Sequence, residues 1–480
     1  MPQPVKVLEI GPEAWMEGMS LHPTLAVGGI FRQATNFDPF ARLGVLRPTQ
    51  ESNQQGANTV TTAGLFNVGF STGGLPYFYS FGNGTKVFQV ATLTGTVTDV
   101  SAQITDIATV RGATKFKNRI VYASETSIKA NSIPLVKASQ VGLLSVTTGG
   151  VHILKVGPDR NLYVTNLNSV GRITSVAGLP GNSGTYLTFE DDVIVRDLEN
   201  DGKYLVILGD TANTLNDPAS KVRCFVAFWN MKSQDLTQIW EFEDNITYGM
   251  KFTGEEIVVF GRDNIYTCSV SSPLRPIMST RGQSVFANIA PTSGPGAIIA
   301  RDGSVLWGSS GQIYGFGRPN QALKKIFYNP FGLSDGNVSS LFADGIGVWA
   351  MGSTNKLWDF HLGGTLTTAT ILLSDIDFRK PYRFAFAKII TTSALASGES
   401  VSLQINTQSG NKLVLNSNGM TFTDDGAVSS KIVYPEAGES VADTTLFEDL
   451  TNISISSVKK TVRRVEIWAY PAPENQSLGY

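Results

Sequence analysis

Residues 197–202 place oxygen-bearing side chains at alternate positions and end on a glycine, in the order Asp197-Leu198-Glu199-Asn200-Asp201-Gly202. Carboxylate oxygens at this spacing, followed by a glycine, allow a loop to wrap around Ca²⁺. The motif therefore predicts a calcium site with Asp197, Glu199 and Asp201 as its ligands. A second interpretation stays open, in which an Asn-Asp-Gly turn joins two strands and leaves its carboxylates in water. Calcium is the one cofactor that the sequence suggests.

Few other residues offer catalytic chemistry. The sequence contains three histidines (His22, His152 and His361), and none has a second histidine or a cysteine nearby, so a zinc site or a histidine-based triad is not expected. Motifs of the G-x-S-x-G and Walker types are absent from the sequence. Cys224 and Cys268 lie one repeat apart, which allows a disulfide between repeats, although two buried free thiols are the favoured interpretation. We therefore predict that the protein is not an enzyme.

A repeated hairpin pattern indicates the elements that carry these residues. An apolar run, a turn of Gly, Asn, Asp or Ser, a polar pair, an aliphatic residue and usually an aromatic recur seven times between residues 76 and 362. The equivalent positions are Phe88, Ile128, Tyr163, Phe225, Tyr266, Tyr314 and Trp358. Their six intervals average 45 residues, which matches one four-stranded propeller blade. We predict an all-β fold with a β-propeller of about seven blades, six or eight being the alternatives, and aromatic side chains that pack between blades.

The regions outside the repeat suggest an N-terminal segment and a C-terminal domain in addition to the propeller. Residues 1–58 contain many Pro and Gly residues and no sustained period, which indicates an extended N-terminal arm or a strand that closes the ring. The propeller is expected over residues 59–375, a β-sandwich-like domain over residues 376–472 and a polar tail over residues 473–480. A polar loop from Gly209 to Ser220 is either an added binding surface or a neutral insertion.

Composition excludes several classes of function. Charged residues make up 16% of the 480 residues and the net charge is −2, so a nucleic-acid-binding stripe is not expected. The first residues lack the pattern of a secretory signal, and no apolar stretch is long enough to span a bilayer. Low charge and many turns are typical of durable extracellular proteins. A virion component that folds in the host cytoplasm and is released by lysis would combine these features, and a cytosolic propeller scaffold is the alternative.

Two short motifs resemble those of known propellers. The spacing of Asp197, Glu199 and Asp201 resembles the calcium loops of integrin-type propellers, but Leu205 stands where a later acidic ligand is expected. Residues 300–307, Ala-Arg-Asp-Gly-Ser-Val-Leu-Trp, resemble the aspartate box of sialidase propellers, a structural hairpin motif. No arginine triad with a Tyr-Glu pair accompanies it.

The longest resemblance concerns the two ends of the chain. The segment from Gly28 to Pro48, with its Asn36, Pro39 and Gly44-Val45-Leu46, resembles the arm that precedes the first blade in propeller proteins of tailed-phage virions. Phe384 to Ile390 with Leu395, Gly398 and Val401 to Ile405 is similar to their sandwich-like C-terminal segments. Arm, ring and C-terminal segment together resemble the tail nozzle proteins of podophages.

This resemblance implies a structural role in a phage tail, as a nozzle or tail-tip conduit. The expected partners are further copies in a ring, other tail proteins, DNA in transit and a host-surface glycan or receptor. The expected location is the virion, after assembly in the host cytoplasm. A carbohydrate-active propeller enzyme, such as a glycan lyase or sialidase, and a calcium-dependent binding propeller are the alternatives.

Overall fold

The computed structural model of the protein describes most of the chain, in segments that together form two β-structures. The described residues are 3–11, 31–38, 45–49, 52–56, 59–62, 64–82, 84, 86–105, 110–148, 152–177, 184–211, 222–244, 247–279, 291, 294–318, 325–345, 347–361, 366–373, 382–393, 395, 398–406, 412–416, 423–424, 429–433, 445–446 and 452–471. No helix among them is both long and apolar enough to cross a membrane.

Five short strands precede the repeat. They are β1 (Val5–Ile10), β2 (Phe31–Thr35), β3 (Phe37–Asp38), β4 (Arg47–Pro48) and β5 (Asn53–Gln55). The strands of the repeat follow as β6 (Gly64–Thr72), β7 (Leu75–Gly82), β8 (Val87–Ala91), β9 (Val97–Asp99), β10 (Gly112–Phe116), β11 (Arg119–Ala123), β12 (Ser127–Asn131), β13 (Val141–Ser145), β14 (Leu154–Val156), β15 (Leu162–Asn166), β16 (Ser169–Ile173), β17 (Thr185–Thr188), β18 (Val193–Asn200), β19 (Leu205–Thr211), β20 (Val222–Trp229), β21 (Gln238–Asp244), β22 (Thr247–Phe252), β23 (Ile257–Gly261), β24 (Asn264–Ser269), β25 (Ser272–Ser279), β26 (Ile298–Arg301), β27 (Ser304–Gly317), β28 (Ile326–Ala343), β29 (Val348–Gly352) and β30 (Leu357–Asp359).

Nine strands complete the chain. They are β31 (Thr368–Leu373), β32 (Tyr382–Thr391), β33 (Ser400–Asn406), β34 (Lys412–Asn416), β35 (Thr423–Asp424), β36 (Ser429–Val433), β37 (Thr445–Leu446), β38 (Asn452–Val458) and β39 (Val462–Pro471). Three 3-10 turns occur among the described residues, at Ser101–Gln103, Lys137–Ser139 and Pro295–Ala297.

The strands of the repeat form a ring of blades, which confirms the predicted all-β propeller. The sheets β6 to β9, β10 to β13, β14 to β17, β18 to β21 and β22 to β25 are antiparallel four-stranded blades in chain order, here called blades one to five. Their innermost strands contact one another in succession, and the series continues through β26 and β28 back to β6. Seven inner strands therefore surround the axis in the described part of the chain.

Blades six and seven are continuous with each other. One six-stranded sheet has the order β26-β27-β28-β29-β30-β5. The first part of β28 pairs with β27 in blade six, and the part after residue 337 pairs with β29 in blade seven. The outer strand of blade seven is β5, whose Gln55 pairs with Leu357. A strand from the N-terminal region thus closes the ring, one of the two interpretations of that region.

An apolar core fills each of the seven interfaces between consecutive blades. Phe88 packs with Trp349 between blades one and seven, and Tyr266 lies in the core between blades four and five. The other equivalent positions of the repeat also lie in interblade cores, including Trp358, which is partly buried. This confirms the prediction that these side chains pack between blades. Tyr163, however, lies on the second strand of blade three, and Val170 on β16 occupies the corresponding third-strand position.

The remaining strands form a two-sheet sandwich, apart from β3 and β4, which pair with each other. One sheet has the order β1-β39-β32-β36-β35, with β37 also paired to β32, and the other has the order β2-β31-β38-β33-β34. Apolar side chains of both sheets, among them Ile467 and Ile455, belong to one core that continues to Phe260 and Trp307 of the propeller. The sandwich therefore packs directly against blades five and six.

These pairings differ from the expected domain boundaries in two places. The sequence predicts that the region from 1 to 58 is an extended arm or a strand that closes the ring, but β1 and β2 are edge strands of the two sandwich sheets. Residues 368–373 were expected to belong to the propeller, but they form β31 inside the second sandwich sheet. The reason is that each of these short strands pairs with partners far away in the sequence. The expected polar tail, residues 473–480, lies outside the described residues.

Both cysteines are buried free thiols, as favoured from the sequence. Burial raises the pKa of Cys268 to about 12 and also raises that of Cys224, next to which lie the carboxylates of Asp210 and Asp244. A thiolate is the reactive form of cysteine.

We therefore expect neither thiol of the native protein to react with a disulfide reagent at pH 8, and both to react after unfolding in denaturant. Thiol titration by absorbance measures this. Rapid reaction of one equivalent in the native protein would contradict the burial of both side chains.

Candidate functional site on the inner strands

The predicted site residues Asp197 and Glu199 lie on β18, the inner strand of blade four. Residues two apart on a strand point to the same side, and both side chains are almost completely buried, with exposures of 0% and 4%. The strand β18 contacts the inner strands of blades three and five, β14 and β22. The two carboxylates therefore lie near the propeller axis, where three blades meet.

Glu199 joins these three blades through ion pairs. Its carboxylate contacts the ammonium of Lys155 on β14, and its Oε2 lies 3.6 Å from Nζ of Lys251 on β22. Burial opposes ionisation of Glu199, but Lys155 and Lys251 outweigh it and hold its pKa below the ordinary value. Burial likewise opposes the charge of Lys251, yet Asp197 and Glu199 raise its pKa. Glu199 and Lys251 therefore stabilise each other in their charged forms.

Asp197 binds backbone N–H groups, in contrast to the ion pairs of Glu199. Its Oδ2 accepts a hydrogen bond of 2.8 Å from the backbone N–H of Met250 in blade five, and its Oδ1 accepts one of 2.8 Å from Leu198. Burial raises the pKa of this carboxyl and the neighbouring Glu199 carboxylate adds to the rise, although Lys251 and the two backbone donors oppose it. Asp197 thus connects two blades through a backbone donor.

Asp201 does not join the other two residues. It lies in the turn after β18, where its Oδ1 accepts hydrogen bonds from the N–H groups of Lys203 (2.8 Å) and Tyr204 (2.6 Å). Asn200 accepts a hydrogen bond from Gly202 in the same turn. This is the Asn-Asp-Gly turn of the second interpretation, but the carboxylates of Asp197 and Glu199 are buried rather than in water. Among the described residues, no group of three or more His, Cys, Asp or Glu side chains is arranged to hold a metal ion, so the structure gives no support to the calcium expectation.

A chelator should consequently leave the protein's stability unchanged. Both oxygens of Asp197 and Oε1 of Glu199 already accept hydrogen bonds from the protein, and Oε2 of Glu199 faces the ammonium of Lys251. We therefore expect the same melting temperature, within about 1 °C, in excess EDTA and in millimolar CaCl₂. Differential scanning fluorimetry measures it, with a known calcium-binding protein as a positive control. A calcium-dependent rise of several degrees would restore the calcium interpretation.

A second group of buried carboxylates lies at the interface between blades four and five, and the sequence did not reveal it. Asp210 on β19 contacts the guanidinium of Arg196 at 2.9 Å and accepts a hydrogen bond of 2.9 Å from the Thr247 hydroxyl in blade five. The predicted loop from Gly209 to Ser220 begins at this strand, and its residues 212–220 lie outside the described residues.

Asp244, at the end of β21, binds the hairpin formed by β23 and β24 of blade five. Its Oδ1 accepts from the N–H groups of Arg262 (3.0 Å) and Asp263 (2.9 Å), and its Oδ2 accepts from Asn264 N–H (3.2 Å) and from the Tyr266 hydroxyl (3.1 Å). One carboxylate of blade four thus organises the turn between β23 and β24 of blade five. The turn signal Asp263-Asn264 is visible in the sequence, but the distant Asp244 that organises it is not.

Asp359 closes the ring in a comparable way. Its side chain has no exposed surface. Its Oδ2 accepts a hydrogen bond of 2.6 Å from Gln55 of the closing strand, and its Oδ1 accepts one of 3.2 Å from His361 N–H. The His361 ring in turn contacts the carbonyl oxygen of Thr92 in blade one at 3.0 Å. The buried carboxylates of the propeller (Asp197, Glu199, Asp210, Asp244 and Asp359) thus all bind groups of the protein itself.

The hairpin that resembles an aspartate box is also structural. Asp302 and Gly303 form its turn with positive φ angles of 48° and 74°, a conformation that glycine adopts without strain. Trp307 is fully buried and packs against Phe260 and Tyr314. This hairpin anchors blade six to blade five.

The turn before β26 lies close to the inner strand of blade one. A side-chain carbon added to Gly296, in the 3-10 turn before β26, would lie 1.8 Å from the carbonyl oxygen of Leu65 in blade one. Only glycine allows this approach of two backbones. Because blade seven lies between blades six and one, the turn reaches across the end of that blade.

Comparisons with known proteins yield structural similarity alone. No protein-family model matches the chain, and no curated protein sequence matches it. The crystal structure of the computationally designed Ika8 protein aligns with 65% of this chain and 98% of its own, at 12% identity and a TM-score of 0.41. YCF48 bound to D1 peptide aligns with 65% of this chain and 95% of its own, at 11% identity and a TM-score of 0.45.

Proposed function

We propose that this chain is a non-enzymatic structural protein of a tailed-phage virion, part of the tail nozzle or tail-tip conduit. It assembles into a homo-oligomeric ring, contacts other tail proteins, and reaches the virion after assembly in the host cytoplasm. The proposal starts from the resemblance of the arm, the ring and the C-terminal segment to podophage nozzle proteins.

The observation that carries the proposal is the way in which the arm is built into both parts of the molecule. The region that bears the resemblance contributes β2 to the sandwich, and the strand that follows it, β5, closes the propeller. Arm, ring and sandwich form one mechanical unit with a shared apolar core. The buried carboxylates of the propeller hold blades together, which suits a rigid structural protein better than a catalyst.

The turn that contains Gly296 lies against Leu65 of blade one. We infer that DNA does not pass through a single propeller. In our proposal the conduit is therefore the space enclosed by several subunits around a common symmetry axis. Its wall would carry little net positive charge, consistent with the chain's net charge of −2, so that DNA in transit is not retained.

Two measurements on the phage that encodes the chain test this proposal. Light scattering of the purified protein should give the mass of a closed oligomer, and gold-labelled antibodies should bind the tails of intact virions. A protein that stays monomeric at high concentration and is absent from virions overturns the proposal. Turnover of a surface polysaccharide by the purified protein would instead favour the carbohydrate-active enzyme, and a host glycan or receptor would then be its substrate rather than a docking partner.

A further inference from the structure

The chain passes between propeller and sandwich twice, and the two connecting segments lie side by side. Thr49 follows β4 on the way into the propeller, and Thr367 precedes β31 on the way back. The N–H of Thr367 donates to the carbonyl oxygen of Thr49 at 2.8 Å, and its hydroxyl donates to the same oxygen at 3.1 Å. The Thr367 carbonyl oxygen accepts from Lys459 N–H of the sandwich at 3.2 Å.

Asn36, between β2 and β3, connects these segments to the propeller. Its carbonyl oxygen accepts from Thr49 N–H at 2.7 Å. Its side-chain Nδ2 donates to the Thr368 carbonyl oxygen at 3.1 Å, and its Oδ1 accepts from Gly332 N–H at 3.1 Å. Gly332 belongs to β28, the strand shared by blades six and seven. One amide side chain thus bridges the sandwich and the propeller.

The chemistry of this position suits asparagine in two respects. The backbone of Asn36 is left-handed, with φ of 58°, a conformation in which asparagine and glycine are favoured. Its two bridging partners are a donor, Gly332 N–H, and an acceptor, Thr368 C=O. A primary amide supplies one acceptor and two donors in a single plane, whereas a carboxylate supplies acceptors alone.

We propose that Asn36 is the positioning residue of this junction, which comprises Asn36, Thr49, Gly332, Thr367 and Thr368, and that its side chain sets the orientation of the sandwich relative to the propeller. The adjacent apolar core holds the two parts in contact. The hydrophobic effect is non-directional, so directional hydrogen bonds restrain the angle, and those of the Asn36 side chain join Thr368 of the sandwich to Gly332 of the propeller. This inference does not rest on the proposed function and applies to the isolated chain.

Three variants separate the effect of the left-handed backbone at Asn36 from the effects of its two side-chain hydrogen bonds. Asn36→Gly keeps the left-handed backbone and removes both side-chain hydrogen bonds. Asn36→Asp keeps the acceptor for Gly332 N–H but places a carboxylate oxygen opposite the Thr368 carbonyl. Asn355→Gly is the matched control, because Asn355 also has a positive φ, of 64°, on an exposed hairpin turn of blade seven.

Hydrogen exchange and a distance measurement provide the readouts. In Asn36→Gly we expect the Gly332 amide to exchange about tenfold faster, as for the loss of one hydrogen bond of about 1.4 kcal/mol. In Asn36→Asp that amide should stay protected. The Thr49 amide, which donates to the Asn36 backbone, should change less in either variant.

Spin labels at Arg463→Cys in the sandwich and Lys203→Cys in the propeller, two exposed positions, report the orientation. We expect one narrow distance distribution in the parent protein and in Asn355→Gly, and a broader or shifted one in both Asn36 variants. If Asn36→Gly fails to fold, Asn36→Asp alone decides the question. An unchanged distance distribution in the folded Asn36 variants would overturn the proposal, whatever the exchange rate of the Gly332 amide.

Discussion

Replacement of Asp244 by alanine is expected to lower the free energy of unfolding by about 3–5 kcal/mol. The carboxylate accepts hydrogen bonds from Arg262, Asp263 and Asn264 N–H and from the Tyr266 hydroxyl. Alanine leaves all four donors without this acceptor at an interface between blades, and each unsatisfied buried donor costs about 1–3 kcal/mol. Partial access of water to the turn keeps the total below the sum.

Urea denaturation of the variant and the parent protein measures this difference. Asp99→Ala is the matched control, because Asp99 also ends the outer strand of its blade and accepts from a nearby backbone N–H, that of Ser101, but its side chain is 34% exposed. We expect that control to cost less than about 1 kcal/mol. Equal effects of the two substitutions would mean that Asp244 has no special role.

The second large effect is expected for Glu199→Gln, which should cost about 2–4 kcal/mol. The substitution keeps the shape of the side chain but leaves the ammonium of Lys251, which is 18% exposed, without the Glu199 carboxylate. A buried pair that loses one partner is strongly destabilised, whereas replacement of both partners by neutral groups is often tolerated. The double variant Glu199→Gln with Lys251→Met should therefore recover at least half of the loss.

The pH dependence gives an independent check on Glu199. Its pKa in the folded protein lies below the ordinary value of 4.5. The stabilisation from its ionised form is therefore present above the unfolded pKa and is lost as the pH falls through the folded pKa. The parent protein and Glu199→Gln should differ at pH 7 and converge in acid. A difference that stays constant down to acid unfolding would exclude the ion pair as its cause.

The ring was predictable from sequence because each blade is local. A blade needs four strands joined by short turns, and turn residues and apolar runs indicate them directly. Tyr163 was placed on the wrong strand of its blade because its turn, Asp159-Arg160-Asn161, joins the first two strands rather than the second and third. The turn between the first and second strands of a blade and the turn between the second and third strands carry the same types of residue. A local sequence pattern therefore cannot distinguish them.

The partners of the N-terminal strands were not predictable from one sequence. Residues 5–10 and 31–35 carry no signal for their partners β39 and β31, since pairing of antiparallel strands depends on register and burial that form only in the folded protein. The partners of the candidate site residues were likewise not predictable from one sequence. Asp197 and Glu199 were visible as an oxygen-rich motif in the sequence. Lys155 and Lys251, whose ion pairs with Glu199 make this a contact between blades, come from other blades.

The closing strand has a consequence for the order in which the molecule can fold. Gln55 pairs with Leu357, and Val5 pairs with Ala469. Both N-terminal strands thus wait for partners that are synthesised much later. Long-range pairing of this kind slows folding, and an unpaired edge is prone to aggregation while it waits. The polar sequence of β5, Asn-Gln-Gln, keeps that waiting edge free of apolar surface.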